Sequence, residues 1–447
     1  MRRSIVLDSI SSFVWGPVTI ILLLGTGIFT TLLLKGVQIR HFFYGFGLLS
    51  GKYDNPEDKG EITHFQALSA ALSATIGTGN IAGVGVAIAS GGPGALFWMW
   101  VTAFFGMGLK FAEALLAVKY RVVHSDGSIS AGPMYYLEHG LKQKWLGVLF
   151  AFFAAIASFG IGNMVQANSV AAPMLSTFNI PKLATGLIIA VLVFAVIVGG
   201  IKRIGHVASR MVPFMALFYV VGALVVLVLN FQAIPAAFTM IFHDAFSGTA
   251  ATGGFAGAAV AQAIRWGVAR GLFSNEAGLG SAPIAHGAAQ TNEPVREGLV
   301  AMLGPFIDTV IICTMTGLVI IVTGAYEGGL SGANLTAHAF GTALPMVGTY
   351  IVAVSMAIFA FSTAVSWSYY GDRSVEYLFG EKSILPYRIF YCLLLPVGAT
   401  FELRQVWAIS DIFNALMAWP NLIGLLFLSG VVLRSTREYF ADPGRMS

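Results

Sequence analysis

The chain has 447 residues, of which 57% are hydrophobic and only 10% are charged. An ordinary soluble domain carries about 25% charged residues, so this composition excludes a soluble fold and favours an integral membrane protein. The formal net charge of +4 does not indicate a nucleic-acid partner, because the basic residues lie mainly in short loops beside apolar segments.

Eleven apolar segments are long enough to cross a hydrocarbon layer about 30 Å thick. In chain order they lie at residues 14–34, 64–90, 92–118, 145–177, 183–200, 207–230, 255–289, 298–324, 344–370, 384–403 and 406–433. They predict an all-α membrane protein with about 11 transmembrane helices, in a single domain over residues 1–447.

The loop charges predict how the chain is oriented in the cell membrane. If the first segment enters from outside, the only Lys and Arg residues on the outer side are Arg2, Arg3, Lys182 and Arg404. The excess of basic residues in the opposite loops predicts an outside N-terminus and a cytoplasmic C-terminus. The first apolar run is too long for a signal peptide and has no small-residue cleavage site after it, so we expect it to be retained.

Glycine and polar residues interrupt two of the predicted spans, 64–90 and 255–289. The interruptions read Ser73-Ala74-Thr75-Ile76-Gly77-Thr78-Gly79-Asn80-Ile81-Ala82-Gly83 and Arg270-Gly271-Leu272-Phe273-Ser274-Asn275-Glu276-Ala277-Gly278-Leu279-Gly280-Ser281. When the first span is set aside, the interrupted spans are the first and sixth of ten, so each opens a group of five. Because five is odd, the two groups cross the membrane in opposite senses, as in an inverted repeat. We expect repeats at 64–231 and 255–433, with 14–34 as an extra N-terminal helix.

Non-helical backbone at membrane depth must face a cavity or other protein, because lipid cannot satisfy its polar groups. Free N–H groups at a break favour a carboxylate and free carbonyls favour a cation, so an amino-acid zwitterion with Na⁺ suits both. A competing interpretation is that Gly79 and Gly83 only let two helices pack closely. The carboxylate of Glu276 is harder to explain by packing, since such a group inside a span indicates function.

Residues 91–106 read Gly-Gly-Pro-Gly-Ala-Leu-Phe-Trp-Met-Trp-Val-Thr-Ala-Phe-Phe-Gly. This run resembles the signature of the alanine or glycine:cation symporter family. The similarity continues through residues 76–80, 271–278 and 361–363 and covers most of the chain. It implies the amino acid–polyamine–cation superfamily and a leucine-transporter-type five-plus-five fold. The implied activity is not enzymatic: it is import of alanine or glycine coupled to Na⁺ by alternating access, with no other cofactor.

The resemblance also implies a substrate site formed by both breaks. Backbone N–H groups around Thr78 would bind the substrate carboxylate, while carbonyls of the second break, with Asn275 and Glu276, would accept from its ammonium group. The complete predicted set is Thr75, Gly77, Thr78, Gly79, Gln166, Gly271, Phe273, Ser274, Asn275, Glu276 and Trp367.

Several of these side chains have a second interpretation. Trp367 would either close the side-chain end of the pocket or face lipid. Either Gln166 or Asn163 would touch substrate, or both would form interhelical hydrogen bonds. Asn80 would bridge the two halves of the protein.

The superfamily pattern implies a Na⁺ site between the first broken span and the ninth of the eleven spans. Its ligands would be carbonyls and hydroxyls of Ser73, Ile76, Phe359, Ser362 and Thr363. Oxygen ligands without a carboxylate suit a hard cation of single charge. The alternative is that Ser362 and Thr363 bond back to their own helix.

Other ionisable residues and other functions stay open. Lys110 and Glu113 would pair locally or reach the interface, and Arg265 and Arg270 need partners or water. Asp308 would belong to a second cation site, take part in a proton relay, or neutralise an arginine.

Proton coupling is the alternative to Na⁺ coupling. A channel would need a continuous polar pore, and His-Glu-x-x-His and Gly-x-Ser-x-Gly enzyme motifs are absent. The sequence indicates no nucleic-acid or obligatory protein partner, only the lipid bilayer and the transported solutes.

Overall fold

The computed structural model describes residue 10 and residues 14–247, 256–401 and 404–445. The main helices are α1 (Pro17–Leu33), α2 (His64–Thr75), α3 (Gly79–Gly91), α4 (Ala95–Lys119), α5 (Lys144–Phe178), α6 (Lys182–Ile197), α7 (Gly200–Leu229), α8 (Ile234–Phe246), α9 (Ala256–Asn275), α10 (Ala282–His286), α11 (Pro294–Val322), α12 (Gly332–Ala343), α13 (Gly348–Phe379), α14 (Ile384–Thr400), α15 (Arg404–Phe427) and α16 (Ser429–Ala441).

Shorter elements connect these helices. They are helical segments at Val37–Arg40, Phe42–Leu48 and Pro133–Tyr135, 3₁₀ turns at Phe231–Ala233, Ala325–Gly328, Glu381–Ser383 and Pro443–Arg445, and a π-helical turn at Tyr136–Gly140. A small antiparallel sheet pairs β1 (Val122–Val123) with β2 (Ile129–Ser130).

The described helices account for the eleven predicted spans. Seven are long and apolar enough to cross a membrane, and α2 with α3, which are bent by 53° at the break, meet the same criterion as a pair. The shorter apolar helices α1 and α6 correspond to two more. The last is α9, whose apolar character is reduced by Arg265 and Arg270. The prediction of an all-α membrane protein is confirmed.

Three helices depart from the predicted spans. The helices α8 and α12 have 13 and 12 residues, which is too short for a segment of about 20 apolar residues to be recognised in the sequence. The predicted span 406–433 ends as α15 at Phe427, and the chain then continues in the separate helix α16. That prediction was therefore too long at its C-terminal end.

The first break lies between α2 and α3. The helix α2 begins with a capping box, in which Thr63 Oγ1 accepts from Gln66 N–H and Gln66 Oε1 accepts from Thr63 N–H. It ends at Thr75, because Ile76 takes an extended conformation with ψ of 90°. Helical structure resumes with a π-helical turn at Gly79–Gly83.

The second break begins at Glu276, later than the predicted interruption, which starts at Arg270. The helix α9 remains regular through Asn275, and Glu276 then has φ of +55° while Gly278 and Gly280 have φ of +84°. Glycine adopts this left-handed backbone without steric cost, whereas a residue with a side chain does so only when its surroundings hold it there. The chain returns to helix at Ala282.

Small residues allow the helices around the breaks to approach closely. A Cβ atom at Gly267 of α9 would lie 2.3 Å from the carbonyl oxygen of Ala95 in α4. A Cβ at Gly162 of α5 would lie 2.2 Å from Trp367 Cβ in α13. These glycines are therefore required by the packing of neighbouring helices.

We expect Gly267→Ala to destabilise the protein by about 1–3 kcal/mol, because its methyl group would overlap the backbone of α4. Gly25→Ala in α1 is the matched control, since no atom lies within 4 Å of the position that its Cβ would take. The measurement is thermal unfolding of both purified variants in detergent. Equal unfolding midpoints for Gly267→Ala and the wild-type protein would contradict this account of the packing.

Candidate functional site

The two breaks lie against each other near the centre of the helical bundle. A Cβ atom at Gly79 would be 3.4 Å from Phe273 Cδ1 and 3.4 Å from Ser274 Cα. The absence of a side chain at Gly79 thus brings the start of α3 next to the end of α9. No atom lies within 4 Å of the corresponding position at Gly83, so the helix-packing interpretation applies to Gly79 and not to Gly83.

A cavity of about 20 Å³ separates the two breaks. Eight of the predicted substrate residues line it, together with Thr363: Thr75, Gly77, Thr78, Gly79, Gln166, Phe273, Glu276 and Trp367. Gly271, Ser274 and Asn275 do not line it. This volume holds about one water molecule. An amino acid would enter only after the walls of the cavity had moved apart.

Three oxygen atoms around this cavity are buried and have no hydrogen-bond partner. They are Thr78 Oγ1, Gln166 Oε1 and Thr363 Oγ1. A Cβ at Gly77 would be 2.5 Å from Thr363 Oγ1 and 3.8 Å from Gln166 Oε1, which places both atoms at the first break. A buried polar group without a partner costs roughly 1–3 kcal/mol. Three such groups around one cavity indicate a site for a polar ligand.

Glu276 connects the second break to α13. Its Oε1 accepts from Trp367 Nε1 at 2.9 Å, and its Oε2 accepts from Ser281 Oγ at 2.5 Å. Trp367 is 1% exposed, so the interpretation that it faces lipid is wrong. The carboxylate therefore lies in the cavity wall with uncharged donors on both oxygens.

Asn80 organises the first break and bridges it to α11. Its Oδ1 accepts from the Gly77 N–H at 2.8 Å, and its Nδ2 donates to Asp308 Oδ1 at 2.7 Å. The Gly77 N–H, which we expected to be available to a substrate carboxylate, is thus already bonded within the protein. The next two residues of this break, Thr78 and Gly79, also line the cavity.

Asp308 is 0% exposed and lies between the two broken helices. Besides Asn80, its carboxylate accepts from Ser274 Oγ at 2.8 Å and from Thr309 Oγ1 at 2.7 Å. Among the described residues, no arginine or lysine forms an ion pair with it. The interpretation that Asp308 neutralises an arginine is therefore wrong. Ser274 belongs to this network and not to the cavity wall.

The predicted cation ligands meet where α2 contacts α13. Ser73 Oγ donates to the Ser362 carbonyl at 2.8 Å, and Ser362 Oγ is 3.2 Å from the Ser73 carbonyl and 2.7 Å from the Phe359 carbonyl. Ser362 does bond back to its own helix, as the alternative interpretation holds, but Thr363 does not, since its hydroxyl has no partner. Ile76 is fully buried at the end of α2.

Three candidate residues have structural contacts instead. Gly271 packs against α4, where a Cβ would be 2.3 Å from Thr102 Oγ1. Asn275 Nδ2 donates to Thr309 Oγ1 at 3.2 Å. Asn163 Nδ2 donates to the Tyr391 carbonyl at 2.6 Å. Of the two candidate amides on α5, only Gln166 lines the cavity.

Glu113 supports the second break, a role that the sequence did not predict. Its Oε1 accepts from Asn421 Nδ2 at 2.6 Å, and Asn421 Nδ2 also lies 2.9 Å from the Gly278 carbonyl. Within the described ranges, Lys110 and Glu113 form no ion pair with each other. The signal in the sequence was a carboxylate within a predicted span, but its partner Asn421 is 308 residues away.

A larger cavity of about 120 Å³ lies on the other side of Phe273. Arg265, Arg270 and Asp411 contribute its charged lining, and the Arg270 guanidinium carbon is 5.5 Å from the centre of the Phe273 ring. Both arginines thus line a cavity that also contains Asp411, which explains how the helix α9 tolerates two charged side chains. Phe273 lines both cavities and separates them.

Comparison with known proteins places this geometry in a family. The chain matches the sodium:alanine symporter family over residues 2–445. It is 53% identical to the sodium/alanine symporter AgcS of Methanococcus maripaludis, over 97% of this chain and 96% of that protein. It is 37% identical to a Bacillus subtilis protein described as a probable sodium/glutamine symporter, GlnT, over 96% of this chain and 89% of that protein.

Among solved structures, the fold resembles that of a manganese transporter from Eremococcus coleocola. The TM-score is 0.50 at 12% sequence identity, and the likeness covers 88% of this chain and 84% of the other. At this identity the likeness concerns the fold alone. The sequence matches extend over nearly the whole chain, and on them the protein belongs to the sodium:alanine symporter family.

Proposed function

We propose that this protein imports a small neutral amino acid, alanine or glycine, together with Na⁺ by alternating access. The observation that carries the proposal is the cavity between the two breaks, with three unpartnered oxygen atoms and the carboxylate of Glu276 around it. The groups around the cavity suit the two differently charged ends of a zwitterion. A carboxylate and hydrogen-bond acceptors suit an ammonium group, whereas backbone N–H groups suit a carboxylate.

The substrate carboxylate lies at the first break in this proposal, beside the Thr78 hydroxyl and the backbone of Gly79. The ammonium group lies toward Glu276 and Gln166 Oε1. The substrate side chain then faces Trp367, which leaves space for a hydrogen atom or a methyl group. The break residues from Glu276 onward, rather than Gly271 and Phe273 within regular helix α9, provide the non-helical part of the site.

Na⁺ binds in this proposal where Ser362 Oγ lies between the Ser73 and Phe359 carbonyls. The cation replaces the hydroxyl proton as the positive partner of both carbonyls, with Ile76 and Thr363 completing a shell of oxygen ligands. Asp308 is a second candidate site for a cation or a proton. Its carboxylate has only uncharged donors, and a buried charge without a charged partner is costly.

The loop charges support an outside N-terminus and a cytoplasmic C-terminus. In this orientation, the cavity beside Arg265 and Asp411 is on the extracellular side of Phe273. The repeats 64–231 and 255–433 each begin with a broken helix, which supports inverted repeats that move around a common site.

The direct test is uptake of labelled alanine by the purified protein in proteoliposomes with an imposed Na⁺ or H⁺ gradient. The proposal predicts accumulation above the equilibrium level when Na⁺ is higher outside. Accumulation driven only by an H⁺ gradient would show that protons, and not Na⁺, are the coupling ion. Equilibration without accumulation under either gradient would indicate a channel and contradict symport.

Replacing Thr363 by alanine should raise the Na⁺ concentration for half-maximal uptake by about tenfold or more, because a contact to a charged group contributes about 1.5–3 kcal/mol. Ser368→Ala on the same helix is the matched control, since Ser368 Oγ donates only to the Val365 carbonyl of its own helix. Unchanged Na⁺ dependence in folded Thr363→Ala would show that the assigned cation site is wrong.

Trp367→Ala should allow larger neutral amino acids to bind, because removal of the indole leaves space for an apolar side chain. Inhibition of alanine uptake by valine and leucine measures this. Trp367→Phe separates size from hydrogen bonding, since phenylalanine keeps an aromatic ring but loses the donor to Glu276. If valine and leucine inhibit Trp367→Ala no better than the wild type, Trp367 does not limit substrate size.

Glu276→Gln should weaken alanine binding by about ten- to a hundredfold, because a bond to the ammonium group is lost at a cost of roughly 1.5–3 kcal/mol. Asn275→Ala should weaken it less, since the Asn275 amide contacts Thr309 outside the cavity. Direct binding to purified, monodisperse proteins measures both effects. Wild-type affinity in Glu276→Gln would place the ammonium group elsewhere.

A further inference from the structure

Three titratable side chains outside the substrate cavity meet where the two broken helices approach α11. His64 is the first residue of α2, His286 is the last residue of α10, and Glu297 lies in the first turn of α11. Their exposures are 1%, 1% and 0%. Glu297 Oε1 is 2.5 Å from His286 Nδ1, and Glu297 Oε2 forms a short contact with His64 Nδ1. One carboxylate thus joins both broken helices.

The geometry determines where protons lie in this cluster. A carboxylate only accepts hydrogen bonds, so both Nδ1 atoms donate to Glu297. An additional proton therefore binds at an Nε2 atom. His64 Nε2 is buried without a partner. Such a proton would turn the hydrogen bond between a neutral imidazole and the carboxylate into an ion pair. It would compensate the fully buried carboxylate, which otherwise has a high desolvation cost.

Other charged and titratable groups face this cluster from the surrounding elements. They are Asp54 and Arg121 from connecting segments, Lys110 from α4 and Arg296 from α11. Behind them, Asp58 faces Arg121, and Tyr439 of α16 contacts Arg296. Arg121 donates to the carbonyls of Gly287 and Ala289 directly after α10. Arg296 donates to the Tyr53 carbonyl and to the Tyr439 hydroxyl. Neither arginine forms an ion pair with Glu297 in the described residues, so the two imidazoles are its direct partners.

A small cavity beside His286 shares one lining residue with the cavity between the breaks. His286, Lys110, Asn275 and Thr75 are among the residues that line this space of about 10 Å³. Thr75 also lines the substrate cavity. Thr75 thus lies between the cavity at the breaks and the space beside His286.

We propose that His64, Glu297 and His286 form a proton-binding latch, which holds the inner ends of the broken helices to α11 and controls substrate release on that side. The proposal rests on the symport function and on the cytoplasmic position of these helix ends. Inward opening separates α2 and α10 from α11 and breaks at least one contact to Glu297. Substrate binding at the outer side does not require this separation.

The direction of the pH effect follows from linkage. The Glu297 carboxylate in contact with His64 favours a proton on that imidazole, and this advantage is lost when the latch opens. The closed latch therefore holds the His64 proton more tightly than the open latch, so a fall in pH favours the closed form. Substrate release should slow on acidification and accelerate as the pH rises.

The test is exchange of labelled for unlabelled alanine across proteoliposomes, at equal saturating Na⁺ on both sides and at pH 6 and pH 8. For the wild type, we expect the exchange rate to be about three- to tenfold lower at pH 6, within the limit set by one proton. The double variant His64→Asn and His286→Asn should show less than a twofold difference. Asparagine carries an N–H donor near the position of Nδ1 but does not titrate.

His206→Asn is the control, because His206 is exposed on α7 and outside the cluster; it should keep the wild-type ratio of rates. The single variant His64→Asn should also reduce the ratio, and it decides the question if the double variant fails to fold. A wild-type ratio in all folded latch variants, or a wild-type rate that is equal at both pH values, would overturn the latch alone. A wild type that exchanges no alanine at either pH would overturn the symport function and the latch with it.

Discussion

The broken helices depend on one buried carboxylate, because backbone that leaves a helix inside a membrane needs polar partners from the protein. Asp308 accepts hydrogen bonds from Asn80 at 2.7 Å and from Ser274 at 2.8 Å. Asn80 in turn accepts from the Gly77 N–H. The chain of contacts from Gly77 to Ser274 fixes the first break against the end of α9. The cavity between the breaks lies where these two segments are held together, and three oxygen atoms around it, Thr78 Oγ1, Gln166 Oε1 and Thr363 Oγ1, have no partner.

The helix α13 connects the substrate cavity with the proposed cation site. Ser362 faces the carbonyls of Ser73 and Phe359, whereas the next residue, Thr363, directs its hydroxyl to the first break. One turn further along, Trp367 donates to Glu276 at the second break. In the proposed mechanism, a cation that changes the contact of α13 with α2 also changes the walls of the cavity between the breaks. Na⁺ binding and substrate binding would then affect each other through this one helix.

The sequence was sufficient for features that depend on composition and local pattern. Apolar run lengths predicted the spans, and the polar interruptions with the family resemblance identified the cavity residues Thr78, Gln166 and Trp367. The start of the second break was predicted too early, since the left-handed backbone of Glu276 depends on tertiary contacts rather than on local propensity. The partners of Asp308 and the cluster of His64 with Glu297 could not be predicted either, because they join residues separated by up to 233 positions in the chain.

The central claim is that one connected network of contacts binds the substrate and Na⁺ together. The most direct measurement is calorimetric binding of alanine to the purified protein in detergent, with NaCl compared with choline chloride at equal ionic strength. Coupling between two sites is typically worth 1–3 kcal/mol, so the account predicts that alanine binds about 5- to 150-fold more tightly in Na⁺. Equal affinity in the two salts would contradict it.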